Sequence, residues 1–577
     1  MATLLQVVSL TKSPSAALSP YHQYSKTSSS SSTTTTTKRN NIINNNGSFL
    51  SGGVVIRNIG NESLSSSPNH YNDRRSSPSI RCLFGKVIAP AIDDVADVLN
   101  GVTGLIPVSQ PDRVKRSDFP TDFKFGASTS ALQTEGSGSE GGRGPSTWDS
   151  FLQDSSVAGT EQGTDSYHKY KEDVKLLKDM GMNAYRMSIS WSRLLPTGKL
   201  SGGINQDGID FYNNFFQELL DNGIEPFVTL FHFDLPTALQ TEYRGFLNKQ
   251  IVDDFKDFAD LCYKNFGDKV KHWTTINEPQ LFANYGYRVG LKPKGDNVND
   301  PYDAAHNIIL CHAAAAKLYK QNYQATQGGE IGISIVGQWF ISHSTSPLDK
   351  EAADRANAFM VGWFMEPLVY GDYPFIMRAL VRDNLPTFTD EEKEMVKGSY
   401  DFIGVNYYTS RYAKDIPLTP DYQYNTSDAY QHVQQEVEKN GVPIGPLPPG
   451  GSNSIYIYPT GLRDVLIYLK NRYQNPKFFV TENGVPEGRD DSVPLEQALK
   501  DDHRIEVINS HLYAVREAMK KGVNMKGFFI WALLDCMEMG SAYNVRFGLN
   551  YVDYNDNLKR YPKKSAKWIH SFLKKKH

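Results

Sequence analysis

The chain has 577 residues, 39% hydrophobic and 12% aromatic, with 61 Lys and Arg against 64 Asp and Glu for a net charge of −3. That length and composition allow a large core, and the even mixture of signs gives no basic footprint for a nucleic acid partner. No uninterrupted apolar run approaches the ~20 residues that span a bilayer, so no membrane partner is expected either.

From Met1 to Arg81 the chain is rich in Ser, Thr and Asn, as in Ser28 to Thr37 and Asn40 to Asn46. Such a composition cannot bury enough apolar surface to fold. Its acids are Glu62 and Asp73, against Lys12, Lys26, Lys38, Arg39, Arg57, Arg74, Arg75 and Arg81. A basic, Ser-rich, acid-poor leader over residues 1–81 has the character of an organellar transit peptide, and the Met1-Ala2 start leans towards the plastid (chloroplast). A disordered tail without an address is the alternative. Leu4 to Leu10 is too short, and too broken by Gln6 and Ser9, for a secretory apolar region. Cys82, Cys262, Cys311 and Cys536 are scattered, without staple or metal spacing, which fits a reducing compartment and predicts neither a metal site nor a cofactor. Residues 82–116 form an extension, with Ile92, Val95 and Leu99 on one stripe of a short helix over Ala91 to Asn100 before Gly101, Pro107 and Pro111 break the pattern. It reads either as a contact in a homo-oligomer or as a plain linker.

After Asp118-Phe119-Pro120, strand and helix signals alternate, and residues 117–577 form one catalytic-sized unit. The β-rich runs are Phe123 to Ser128, Asn183 to Ser190, Pro226 to Phe231, Lys271 to Ile276, Glu330 to Val336, Asp401 to Tyr408, Lys477 to Thr481 and Lys526 to Trp531. Helical periodicity lies between them, over Ser166 to Met180, Gln206 to Asn222, Asn248 to Phe266 and Ala304 to Asn322. Eight such runs predict an α/β fold, a (β/α)8 (TIM) barrel, with its site at the C-terminal ends of the strands. The long insertion Ala413 to Asn453 is then expected as a loop over the mouth.

The strand ends carry polar and aromatic groups suited to a sugar. The first leads into Gln133, whose amide both donates and accepts; the second contains Arg186, able to hold a carboxylate ionised. The third ends in His232-Phe233-Asp234, the sixth in Asn406-Tyr407-Tyr408, and the eighth in Trp531, followed by Glu538. Two further ends place glutamates after apolar runs, in Thr275-Ile276-Asn277-Glu278-Pro279 and Thr481-Glu482-Asn483-Gly484. Two carboxyl groups at one mouth are what glycoside hydrolysis requires: an acid to protonate the leaving oxygen and a carboxylate on the other side of the sugar carbon. Taken singly, each residue has a plainer role, Trp531 in a core, Asp234 as a cap, His232 as a satisfied buried histidine. So many coincident strand ends are hard to explain that way.

With T-x-N-E-P, T-E-N-G, Y-R-M-S-I-S-W-S-R and G-V-N-Y-Y in one chain, the sequence from Phe119 to His577 resembles the plant family 1 β-glucosidases. The resemblance implies that Glu278 is the acid/base and Glu482 the nucleophile, with Arg186 and Tyr408 orienting Glu482 and Asn406 in support. Asn277 would bond the sugar 2-hydroxyl, Gln133 and His232 the 3- and 4-hydroxyl side, and Glu538 the 4- and 6-hydroxyls over Trp531. A retaining mechanism would set the two carboxyl groups about 5–5.5 Å apart. Glu278 argues against the family's thioglucosidases, which use Gln there, and Ser541-Ala542-Tyr543-Asn544 lacks the basic residue of its phospho-sugar enzymes.

Three positions depart from the family pattern. Phe233 and Met539 stand where Trp is common, removing an indole donor near the sugar while keeping apolar bulk. Ser454 replaces a Trp against which many plant relatives stack a flat leaving group, which widens that pocket. The loop disulfide of secreted relatives is missing between Gly290 and Pro301, in line with the leader. The expectation is a plastid-targeted retaining β-glucosidase acting on a small-molecule glycoside with a bulky leaving group, similar to saponin glucosidases that cleave a furostanol 26-O-glucoside. A transglucosidase using an alcohol acceptor, a glucosidase of phenolic defence glucosides, and a non-catalytic sugar-binding protein are the rivals.

Overall fold

The computed structural model describes residues 113–149, 163–286 and 297–574. The leader, the helix expected over Ala91 to Asn100 and Gly290 to Lys294 lie outside these residues. Eight parallel strands close into a barrel. They are β1 (Lys124–Ser128), β2 (Ala184–Ser188), β3 (Glu225–Phe231), β4 (His272–Asn277), β5 (Glu330–Val336), β6 (Phe402–Asn406), β7 (Lys477–Asn483) and β8 (Met525–Trp531). Each of the eight runs read in the sequence is one of them, and β1 closes the ring by pairing with β8 and β2. The helices between them follow from apolar spacing. α1 (Ser166–Met180) stops at Gly181, whose φ of 77° suits a left-handed helix end. α2 (Gln206–Asp221) buries Ile209, Tyr212, Phe216 and Leu219 along one stripe. α3 (Ile251–Phe266) packs on α4 (Asp300–Asn322), and later α5 (Pro459–Arg472) packs on α6 (Asp502–Lys520). Among the described residues no helix is long and apolar enough to cross a membrane.

The segment expected as a loop over the mouth is more ordered than that. Ser410–Asp415 lies between Trp339–Ser342 and Val433–Glu436 in a three-stranded sheet, and Glu438–Lys439 pairs with Val442–Pro443. Val433–Glu436 is half-buried on both faces, so it lacks the alternation that marks a strand in sequence.

Inside the barrel, four phenylalanines from β3, β6, β7 and β8, Phe227, Phe402, Phe479 and Phe529, form one buried cluster with Ala184. Their rings meet at 4.8 to 5.3 Å between centroids. Glycines on neighbouring strands make room for them: a Cβ at Gly332 would lie 2.7 Å from the Phe402 ring, and one at Gly527 2.8 Å from Phe479. A minimal side chain thus faces a bulky one across these strand pairs, which lets the rings fill the barrel.

Below this cluster the first residues of five strands make a charged floor. Lys124 pairs with Glu225 and Lys477 with Glu330. His272 sits between the two glutamates, 2.5 Å from Glu225 and 3.6 Å from Glu330, and stacks on Phe227 at 4.0 Å. Burial pushes Glu225 up, but His272 and Lys124 bring it down to about 2; donation from His272 and Lys477 brings Glu330 to about 2. A carboxylate depressed in the folded state stabilises it above the unfolded value, near ~4.3, and loses that contribution as pH falls through the folded one. Replacing Glu330 by Gln is expected to lower the melting temperature at pH 7 and to flatten the acid side of the stability curve between about pH 4.3 and 2, measured by calorimetry.

Candidate active site

The strands that carry the two glutamates lose their regular register at the mouth. The β4–β5 ladder shifts between Thr274 and Asn277, and the β7 ladders shift between Val480 and Glu482 against β6 and between Val480 and Asn483 against β8. Strict strand alternation would send Asn277 and Glu278 to opposite faces. The shift, together with a left-handed Glu278 (φ 45°, ψ 57°), turns both side chains into the same buried network. Glu278 N–H donates to Ser334 O at 2.8 Å, tying this turn to β5.

Arg186, from β2, is the centre of that network. Its Nη1 donates to Glu482 Oε1 at 2.7 Å and its Nη2 to Asn277 Oδ1. Tyr408 donates its hydroxyl to Glu482 Oε2 at 2.7 Å, so both oxygens of Glu482 are held. Glu278 is held on one side only. Its Oε1 accepts from Asn406 Nδ2 at 2.9 Å, while its buried Oε2 has no hydrogen-bond partner. Burial pushes the Glu278 carboxyl well above the ordinary range, and the charge of Glu482 adds to the effect. Burial also drives His232 well below its usual value, with the Arg186 charge adding, which makes it a neutral imidazole. Asn277 Nδ2 lies 3.2 Å from His232 Nε2.

The remaining residues singled out in the sequence divide among three places. Trp531 Nε1 donates to Glu538 Oε1 at 3.0 Å, and the Trp531 and His232 rings stack at 5.8 Å. Gln133 is fixed by Ser130 at 2.7 Å and donates to Met537 O at 2.7 Å, on the turn that carries Glu538. Met539 is fully buried beside it. Burial raises Glu538 as well. Phe233 (φ 74°) faces the aromatic core, its ring stacked on Phe282 at 5.6 Å. Ser454 instead lines a cavity of about 400 Å³ with Gln280, Tyr285, Gln338, Trp363 and Arg411, and neither Phe233 nor the two glutamates line it.

Sequence reasoning did not single out several of these groups. Thr481 stands inside the quoted T-E-N-G run, yet its contact with Asn406 crosses from β7 to β6 and leaves no local signal. Arg411 reaches the cavity from the sheet beyond the barrel and Gln338 from the link between β5 and that sheet, and nothing in their spacing points there. Gln280, two residues past Glu278, directly follows the T-x-N-E-P motif. Among the described residues no group of three or more His, Cys, Asp and Glu side chains is arranged to hold a metal ion.

One carboxylate clamped by a guanidinium and a phenol, and one carboxyl group made weakly acidic by burial, are what a retaining O-glycosyl hydrolase needs on the two sides of a sugar carbon. A family model described as glycosyl hydrolase family 1 matches residues 115–577, and the chain belongs to that family as a retaining β-glucosidase. It is 51% identical over 492 residues to furostanol glycoside 26-O-β-glucosidase of Hellenia speciosa, covering 82% of this chain and 86% of that one. It is 49% identical to β-glucosidase 12 of Oryza sativa subsp. indica, over 80% of this chain and 94% of the other. Among solved structures, a rice β-glucosidase with a covalently bound glucose superposes with a TM-score of 0.78 at 42% identity, covering 80% of this chain and all of that one.

Proposed function

We propose that Glu482 is the nucleophile and Glu278 the acid/base of this β-glucosidase, and that the leaving group is bulky and multi-ringed, with a furostanol 26-O-glucoside as the best candidate. The roles rest on one observation: the two carboxyl groups of the site are partnered differently. Glu482 has donors on both oxygens from Arg186 and Tyr408. Fixed in this way, it attacks the anomeric carbon. Glu278, buried and weakly acidic, gives its proton to the departing glycosidic oxygen as that bond breaks. Water then attacks the glycosyl-enzyme, Glu278 takes its proton, and the bond to Glu482 breaks with the electron pair returning to the carboxylate. Asn277, His232, Gln133, Glu538 and Trp531 are read as holding the glucose unit, and Met539 as bordering it.

Two findings support the bulky leaving group. The small side chain of Ser454 borders a cavity of about 400 Å³ walled by Tyr285, Trp363 and Tyr456, apolar faces with room for a rigid ring system. The relative from Hellenia speciosa, by its name, acts on a furostanol glycoside. The leader is proposed as a plastid transit peptide, on its composition.

Glu482→Gln is expected to abolish turnover of every glucoside. Glu278→Gln is expected to spare an activated aryl glucoside relative to an unactivated one and to regain rate with azide; kinetics that treat both substrates alike would overturn the assignment. Ser454→Trp is expected to lower kcat/KM for a steroidal glucoside about 10-fold more than for a small aryl glucoside, if a contact worth ~1.4 kcal/mol is at stake. Equal losses, or no steroidal activity in the unmodified enzyme, would remove the case for the bulky leaving group. Residues 1–81 fused to a fluorescent reporter are expected to carry it into plastids, and signal in the vacuole or apoplast would refute the address.

A further inference from the structure

Four side chains between β2 and β7 form a hydrogen-bond chain whose direction is fixed by chemistry. A guanidinium carries only donors, so the Asn277 atom that meets Arg186 Nη2 is its oxygen. That oxygen also faces Asn406 at 3.0 Å, which makes the facing Asn406 atom its NH2. The same NH2 reaches Glu278 Oε1 at 2.9 Å. Asn406 is left with its oxygen turned to Thr481 Oγ1 at 2.6 Å, so the Thr481 hydroxyl is the donor there. At the other end, Asn277 presents its own NH2 to His232 Nε2, which accepts, as a neutral imidazole can. No member of the chain can reverse without setting two donors or two acceptors against each other.

We propose that Thr481 is a positioning residue for Glu278: its hydroxyl locks the Asn406 amide so that Oε1 of Glu278 always accepts and the transferable proton resides on Oε2. The inference rests on the acid/base reading of Glu278. Oε1 already receives an N–H and serves as the carbonyl-like oxygen. Oε2 is the oxygen without a protein partner, and so the one left to face a leaving group. Thr481 itself is 1% exposed and its backbone carbonyl accepts from Ser128 Oγ at 2.8 Å, which holds it in place from β1. The residue next to the nucleophile in sequence thereby sets the proton of the opposing acid. Donation by Asn406 also favours the ionised form of Glu278, which the second step uses as a base.

The test compares Thr481→Val and Thr481→Ala, which remove the hydroxyl with and without its bulk, and Thr481→Ser, which keeps it. In both hydroxyl-free variants the amide is no longer locked and its donation to Oε1 weakens. The basic limb of the kcat/KM profile is expected to move to higher pH by on the order of half to one unit. Rate on an unactivated glucoside is expected to fall roughly 10-fold more than on an activated aryl glucoside, and Thr481→Ser to restore both. A basic limb that stays in place, with equal losses on the two substrates, would overturn the proposal. Glu278→Gln measured alongside separates the two levels. If it treats both substrates alike, the acid/base reading itself fails; if it spares the activated one while the Thr481 variants leave the limb unmoved, Thr481 alone is misassigned.

Discussion

The charge of Arg186 is the constraint on which the mouth of this barrel depends. A guanidinium that is 1% exposed is tolerated only when its charge is met at short range. Arg186 meets its charge with Glu482 and places a second donor on Asn277, residues 296 and 91 positions away in the chain. Satisfying one buried cation therefore draws β4 and β7 together around β2. The same contacts leave Glu482 without freedom to turn, and they pass through Asn277 to His232 and Asn406. Catalytic geometry and the cost of burying a charge are one problem here, with one solution.

The strands supply that solution by breaking their own rules. At the mouth the ladders of β4 and β7 slip, and Glu278 takes a left-handed conformation that a residue with a Cβ adopts at a cost. Phe233, at the end of β3, does the same. The surrounding hydrogen bonds hold these conformations. Pairing along the strands closes the barrel, and the irregular ends aim side chains.

Much of this was legible in the sequence because the barrel is a local pattern repeated. All eight strands announced themselves as short apolar runs with polar ends, and the motifs around Glu278 and Glu482 carry their chemistry in consecutive letters. The small sheet over the mouth was not legible, since Val433–Glu436 is short and half-buried on both faces. Nor were Arg411 and Gln338, whose place on the cavity depends on that sheet. Ser454 was marked by what it lacks, an indole, and it does border a cavity; Phe233, marked for the same reason, turned its ring to the core. A missing side chain leaves space only where no neighbour fills it, and sequence does not show the neighbours.

The phenylalanine cluster has a consequence beyond packing. It lies between the charged floor and the mouth, so two sets of ionisable groups inside one barrel have a cluster of four aromatic rings between them. In the floor Lys124 and Lys477 answer Glu225 and Glu330, with His272 between the two glutamates, and opposite charges paired at contact distance offset one another at longer range. Evolution can therefore retune the acidity of the mouth without disturbing how the molecule withstands acid, and it can alter the floor for a harsher compartment without moving the working pH of the enzyme.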